Sequence, residues 1–222
     1  ILQGMAMKYG VDHWRRHRGR CMGTLYWQIN DNWPVASWAS IDYFGRWKAL
    51  HYAAKRFFSP VMISAHMLPR TDVPKTPSER HFPLSVSGQA KIGVTNERLD
   101  ALTGTVTVRL LDTDGTCLDT QVIPVAVDAL ATVYLPVIDY THFLTDRALS
   151  RSRYIHFKLV DQSGNTLTEA FETFVLPKHF AFKDPMIAFE VTESEDAFQI
   201  RLTAQSFVKA VELDLLEADA LY

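Results

Sequence analysis

Residues 61–176 repeat one pattern, short runs of alternating apolar and polar side chains broken by turn formers, and this constrains the fold more than any other feature. Residues 105–111 set Val106, Val108 and Leu110 against Thr105, Thr107 and Arg109. Successive strand side chains point to opposite faces, so such a run has one buried and one wet face. Asp112-Thr113-Asp114-Gly115 then makes a turn into residues 117–127, and Gln162-Ser163-Gly164-Asn165 joins residues 153–161 to residues 166–176. With residues 61–67, 84–95 and 131–135, seven strands are expected over roughly 115 residues, which is the pattern of an immunoglobulin-like sandwich. No Cys-Trp-Cys signature accompanies it, so it is not of the antibody type. Residues 69–83 hold four prolines among charged residues and are expected to form a long exposed loop without regular structure.

The first 60 residues read differently. Residues 3–18 carry an imperfect helical stripe of Met5, Met7, Val11 and Trp14 and end in Arg15, Arg16, His17, Arg18 and Gly19, as at a helix C-terminus. Residues 22–29 are apolar and aromatic and are expected to form one buried strand, stopped by Asn30-Asp31-Asn32-Trp33-Pro34. Residues 42–58 read as a second helix, with Trp47, Leu50, Ala54 and Phe57 along one face. Helix, strand, loop, helix is an α/β unit, and sites in such units form beyond the C-terminal strand ends. Trp27, Asn30, Asp31 and Trp33 fall there. Four of the five tryptophans lie within residues 21–47. Planar polar side chains beside aromatic rings suit a sugar, whose hydroxyls meet the first and whose C–H faces meet the second. Core packing is the competing account of any one tryptophan.

The wording of this stretch is also recognisable. Gly23-Thr24-Leu25-Tyr26-Trp27-Gln28-Ile29-Asn30-Asp31, Trp33-Pro34, Ser37-Trp38, Ser40-Ile41-Asp42-Tyr43 and Gly45-Arg46-Trp47-Lys48-Ala49-Leu50-His51-Tyr52 resemble the last barrel strand and helix of the family 2 β-mannosidases, and His13-Trp14-Arg15 fits the same family. The match is dense over about 60 residues and thin after them. The resemblance implies a mixed fold: the C-terminal α/β segment of a (β/α)8 barrel (1–59), an all-β immunoglobulin-like sandwich (60–177), and the truncated start of a second sandwich (178–222). It implies a retaining hydrolase of terminal β-linked mannose. Retention needs two carboxyl groups about 5 Å apart, glutamates on earlier barrel strands in the family. This chain has no Glu before Glu79, and its barrel part offers only Asp12, Asp31 and Asp42. No catalytic residue is therefore assigned, and the chain alone is expected to be inactive. The resemblance makes Trp27 the floor under the mannose, with Asn30, Asp31 and Trp33 shaping the rim. A turn Asp is more often a local backbone acceptor than an acid–base group, which argues against an Asp31–Asp42 pair.

Partners follow from charge and composition. A net charge of −2 with one short basic cluster, Arg15 to Arg20, gives no face for phosphate contacts, so nucleic acid is not expected. No apolar run reaches membrane-spanning length. Cys21 and Cys117 are too few for a disulfide framework. The histidines lack ligand spacing apart from His13 and His17, which have no acidic or Cys partner nearby, and Glu190, Glu193, Glu195 and Asp196 lack a calcium-loop spacing, so neither metal nor cofactor is expected. The expected partners are mannose-containing glycans through a complete barrel, an N-terminal remainder of the same protein, and a second copy in a homodimer. The alternative is a non-catalytic module, a sandwich that binds glycan or braces a neighbour. Residues 84–222 contain no Trp, which disfavours the glycan-binding version.

Overall fold

The computed structural model describes residues 1–69, 86–195 and 197–213. Two helices open the chain, α1 (Leu2–Arg16) and α2 (Ala49–Phe57), followed by β1 (Val61–Pro69), β2 (Val86–Asn96), β3 (Leu102–Asp112), β4 (Cys117–Val127), β5 (Ala131–Tyr134) and the short β6 (Ile138–Asp139). Then come α3 (Arg147–Ser152), β7 (Arg153–Asp161), β8 (Thr166–Thr173), β9 (Ala188–Glu193) and β10 (Phe198–Thr203). Beyond Pro69, the expected loop lies outside the described residues.

Eight of these strands make two antiparallel sheets. In the first, β2 lies between β1 and β5, with β6 also paired to β2; the second has the order β4-β3-β7-β8. The alternation read from residues 105–111 is what packs them. Val106, Val108 and Leu110 of β3 and Ile155, Phe157 and Leu159 of β7 face Ile63 of β1 and Ala90, Ile92 and Val94 of β2 in one core. Each of these valine, leucine, isoleucine and phenylalanine side chains, fully buried, contributes about 1.5–3 kcal/mol. The turns carry the conformations their residues permit. Gly115 (φ 79°) and Gly164 (φ 84°) are left-handed, and the Asp161 carboxylate accepts the backbone N–H groups of Ser163 and Asn165 at 2.9 Å. Among the described residues, strand β4 is an outer strand of its sheet, and Pro124, just past its middle, lies opposite Thr105.

Three expectations need correcting. The molecule is mostly β sandwich, and a barrel portion is not evident: residues 22–29 form no strand. Their backbone finds no neighbouring strand among the described residues, and Leu25, Trp27 and Ile29 are exposed, not buried. A strand exists only by pairing, so its apolar pattern alone could not make one. The second helix begins at Ala49 rather than residue 42, because Asp42 closes a turn on Arg46. Residues 208–216 carry an apolar pattern that reads as a strand, yet residues 208–213 form none; the remainder of that stretch lies outside the described residues.

The β9–β10 hairpin stands apart from both sheets and reaches the sandwich through the chain on either side of it. Phe207 stacks on Tyr154 with ring centroids 3.9 Å apart and meets Phe171, Phe180 and Phe182, while its N–H donates to Thr113 O at 2.7 Å.

Candidate functional site

The tryptophan-rich stretch lies between the two helices. Its even-numbered residues Thr24, Tyr26 and Gln28 are half-buried and the odd-numbered Leu25, Trp27 and Ile29 exposed. Tyr26 packs on the small core of Val11, Leu50, Ala54 and Phe57 that joins α1 to α2. One face of the segment is thus anchored on the helices and the other is uncovered.

The loop that follows is cross-braced by its own backbone. Ile41 N–H donates to Ile29 O at 2.7 Å, Asp31 N–H to Ile41 O at 3.1 Å, and Lys48 N–H to Ser40 O at 2.9 Å. Side chains reinforce it. Ser40 Oγ is 2.9 Å from Tyr26 OH, from Ile29 O and from His51 Nδ1, and Trp47 lies on the His51 ring at 4.3 Å between centroids. Burial lowers the His51 pKa, favouring the neutral imidazole.

The four residues expected to hold sugar divide into two kinds. Trp27 and Trp33 are 75% and 62% exposed, and Asn30 is exposed beside them, donating through its side-chain amide to Asp31 O at 3.2 Å. Asp31 is buried and turned inward. Its carboxylate accepts Ser37 Oγ–H at 2.6 Å and faces Lys48 Nζ at 3.4 Å. Asp42 is also engaged, accepting from Phe44 N, Arg46 N and Arg46 Nε. Burial pushes its carboxyl up, but the Arg46 and Phe44 donors outweigh that and hold it below the usual carboxylate range. Both aspartates do local structural work, as acceptors inside turns. The Trp27–Gln28 peptide bond is cis. Trp38, Tyr43 and Phe44 are exposed as well, at 61%, 50% and 67%. The Ser40–Tyr26–His51 network was invisible at the level of spacing, since its members lie 11 to 14 positions apart and meet only through the loop. Among the described residues no group of three or more His, Cys, Asp or Glu could hold a metal ion.

Residues 88–179 match the family model described as a Mannosidase Ig/CBM-like domain, which defines the class of the sandwich. The β-mannosidase of Capra hircus is 44% identical over 69 residues, 28% of this chain and 8% of that protein. β-Mannosidase A of Aspergillus clavatus is 27% identical over 223 residues, 92% of this chain and 22% of that one. The crystal structure of the β-D-mannosidase of Dictyoglomus thermophilum superposes on 97% of this chain and 24% of its own, with a TM-score of 0.78 and 22% identity. An exo-chitosanase of Amycolatopsis orientalis follows at a TM-score of 0.65 and 17% identity over 92% of this chain; both likenesses are of fold. The chain is thus similar to β-mannosidases, and it spans under a quarter of the length of those named here.

Proposed function

We propose that this chain is the C-terminal part of a retaining β-mannosidase, in which residues 1–59 complete a (β/α)8 barrel, residues 60–177 brace it as a sandwich, and residues 178–222 begin a second sandwich. The observation that carries the reading is a loop held rigid from within that presents Trp27, Asn30 and Trp33 outward. A rigid aromatic face beside an amide is what a hexose requires of one wall of its site. Trp27 forms the floor under the mannose, Asn30 and Trp33 the rim, and Asp31 shapes that rim from behind by holding Ser37 and Lys48. The uncovered apolar side chains of Leu25 and Ile29 pack on the N-terminal remainder of the protein, which supplies the strands that residues 22–29 pair with and both catalytic glutamates. This chain by itself is then inactive.

The test is hydrolysis of a chromogenic β-mannoside by this chain and by the longer protein with its N-terminal portion restored. Activity is expected only in the longer protein. There, Trp27→Ala should cut kcat/KM by about 100-fold or more, a loss of near 3 kcal/mol in transition-state stabilisation. Turnover by the short chain would overturn the assignment of both carboxylates to the missing part.

A further inference from the structure

Helix α1 meets the sandwich through a row of directed hydrogen bonds. Helices end with carbonyls that have no partner within the helix. Here the outer face of the first sheet supplies the donors. The strand register sets Ser64 opposite Gly93, Gly93 opposite Tyr134 and Thr95 opposite Thr132 on that face. Tyr134 OH donates to Arg16 O at 3.0 Å. The Thr95 and Thr132 hydroxyls are 2.9 Å from one another and each is 3.3 Å from Arg15 O. Each carries a single proton, so one threonine donates to its neighbour and the neighbour to the helix. In return Arg16 Nη1 donates to Ser64 Oγ at 2.9 Å. A Cβ on Gly93 would lie 3.2 Å from Arg16 Cγ and 3.3 Å from Arg16 Cδ, so the missing side chain there is the space that the arginine stem occupies.

The same helix end reaches two further elements. Arg15 donates to Phe57 O and to Ser59 O, at the end of α2 and the start of the chain into β1. Arg18 donates to Leu130 O, in the turn before β5, and lies 3.2 Å from Glu97. Arg15 and Arg16 are both over nine-tenths buried, and burial lowers both their pKa values, with Glu97 opposing it at Arg15 and Asp12 at Arg16. An apolar contact allows sliding, whereas hydrogen bonds of fixed direction hold one orientation.

We infer that the hydroxyl face of β1, β2 and β5 is a positioning surface for α1, and that Thr95, Thr132 and Tyr134 act with Arg15 and Arg16 as a fixed joint between the helical segment and the sandwich. Its consequence for sugar binding, that the sandwich sets the pose of the Trp27 loop, rests on the function proposed above. The joint itself does not.

Amide hydrogen exchange on this chain, without any sugar, tests it. Thr95→Val and Thr132→Val together with Tyr134→Phe, which remove both hydroxyls that can donate to Arg15 O and the one that donates to Arg16 O, should speed exchange across α1 by about tenfold, as expected for losing two modest hydrogen bonds to the helix, and leave β3 and β7 unchanged. Thr95→Ser, which keeps the hydroxyl, should restore most of the protection that the Thr95→Val change removes. Unchanged rates in α1 would overturn the inference, and so would equal acceleration of α1, β3 and β7, which marks a general loss of stability. If that combined variant does not fold, Tyr134→Phe alone serves, with an expected speed-up of about threefold confined to α1. A mannoside assay that fails leaves this joint untouched, and a failed exchange experiment leaves the mannoside reading in place.

Discussion

At the residue scale, single side chains serve quite different ends within a few positions. Phe157 is fully buried in the core that both sheets share. Truncation to Ala there should cost about 3–5 kcal/mol, because the cavity it leaves cannot be filled by the surrounding strands; a denaturant titration would read this as a lower midpoint with the slope unchanged. His51 is a chemical rather than a steric case. Burial favours its neutral form, so near its ordinary pKa of about 6.5 the unfolded chain binds more protons than the folded one. The stability it contributes is therefore present above that value and is lost as the pH falls through it. Melting temperature followed from about pH 7.5 to about pH 5.5 should fall less steeply in His51→Gln than in the native chain. His13 and His66 are also lowered, by burial first and then by neighbouring cations, so a part of the slope will persist in that variant.

At the scale of elements, what was legible depended on whether a pattern needed a partner. The bounds of β4 and β7 can be read from residues 117–127 and 153–161 because alternation and flanking turns are local signals. Residues 22–29 carry as clear an apolar pattern and form no strand, since pairing is supplied from elsewhere or not at all. The hydroxyl face of the first sheet was hidden for a related reason: Ser64, Thr95, Thr132 and Tyr134 are far apart in the chain, and only the register brings them into one row. Of the candidate sugar residues, exposure of Trp27 and Trp33 could not be told from burial by composition, and the inward turn of Asp31 depends on Ser37 and Lys48 reaching it. The β9–β10 hairpin makes the same point. One of its ties to the sandwich is Phe207, a residue outside any strand; Lys183, which meets Asp114 at 2.7 Å, is another. Phe207→Ala should release residues 183–205 to limited proteolysis while β3 and β7 stay protected, and cutting at the native rate would show that the hairpin is held in another way.

At the scale of the whole molecule, the protein is a sandwich with a helical attachment whose aromatic surface faces outward. The two sheets share one core and should unfold together. One strand of that sandwich has a wider consequence. Strand β4 offers eleven residues of outer sheet margin, long enough to template a further strand from another molecule. Pro124 has no N–H to give and interrupts that margin near its centre. A growing fibril would need every rung of its backbone ladder, and this one lacks a rung. Replacing Pro124 with Thr restores the donor, and at high concentration the variant should form thioflavin-positive fibrils from conditions under which the native chain stays clear. Fibrils of that variant would mark Pro124 as the residue that keeps β4 from templating a further strand.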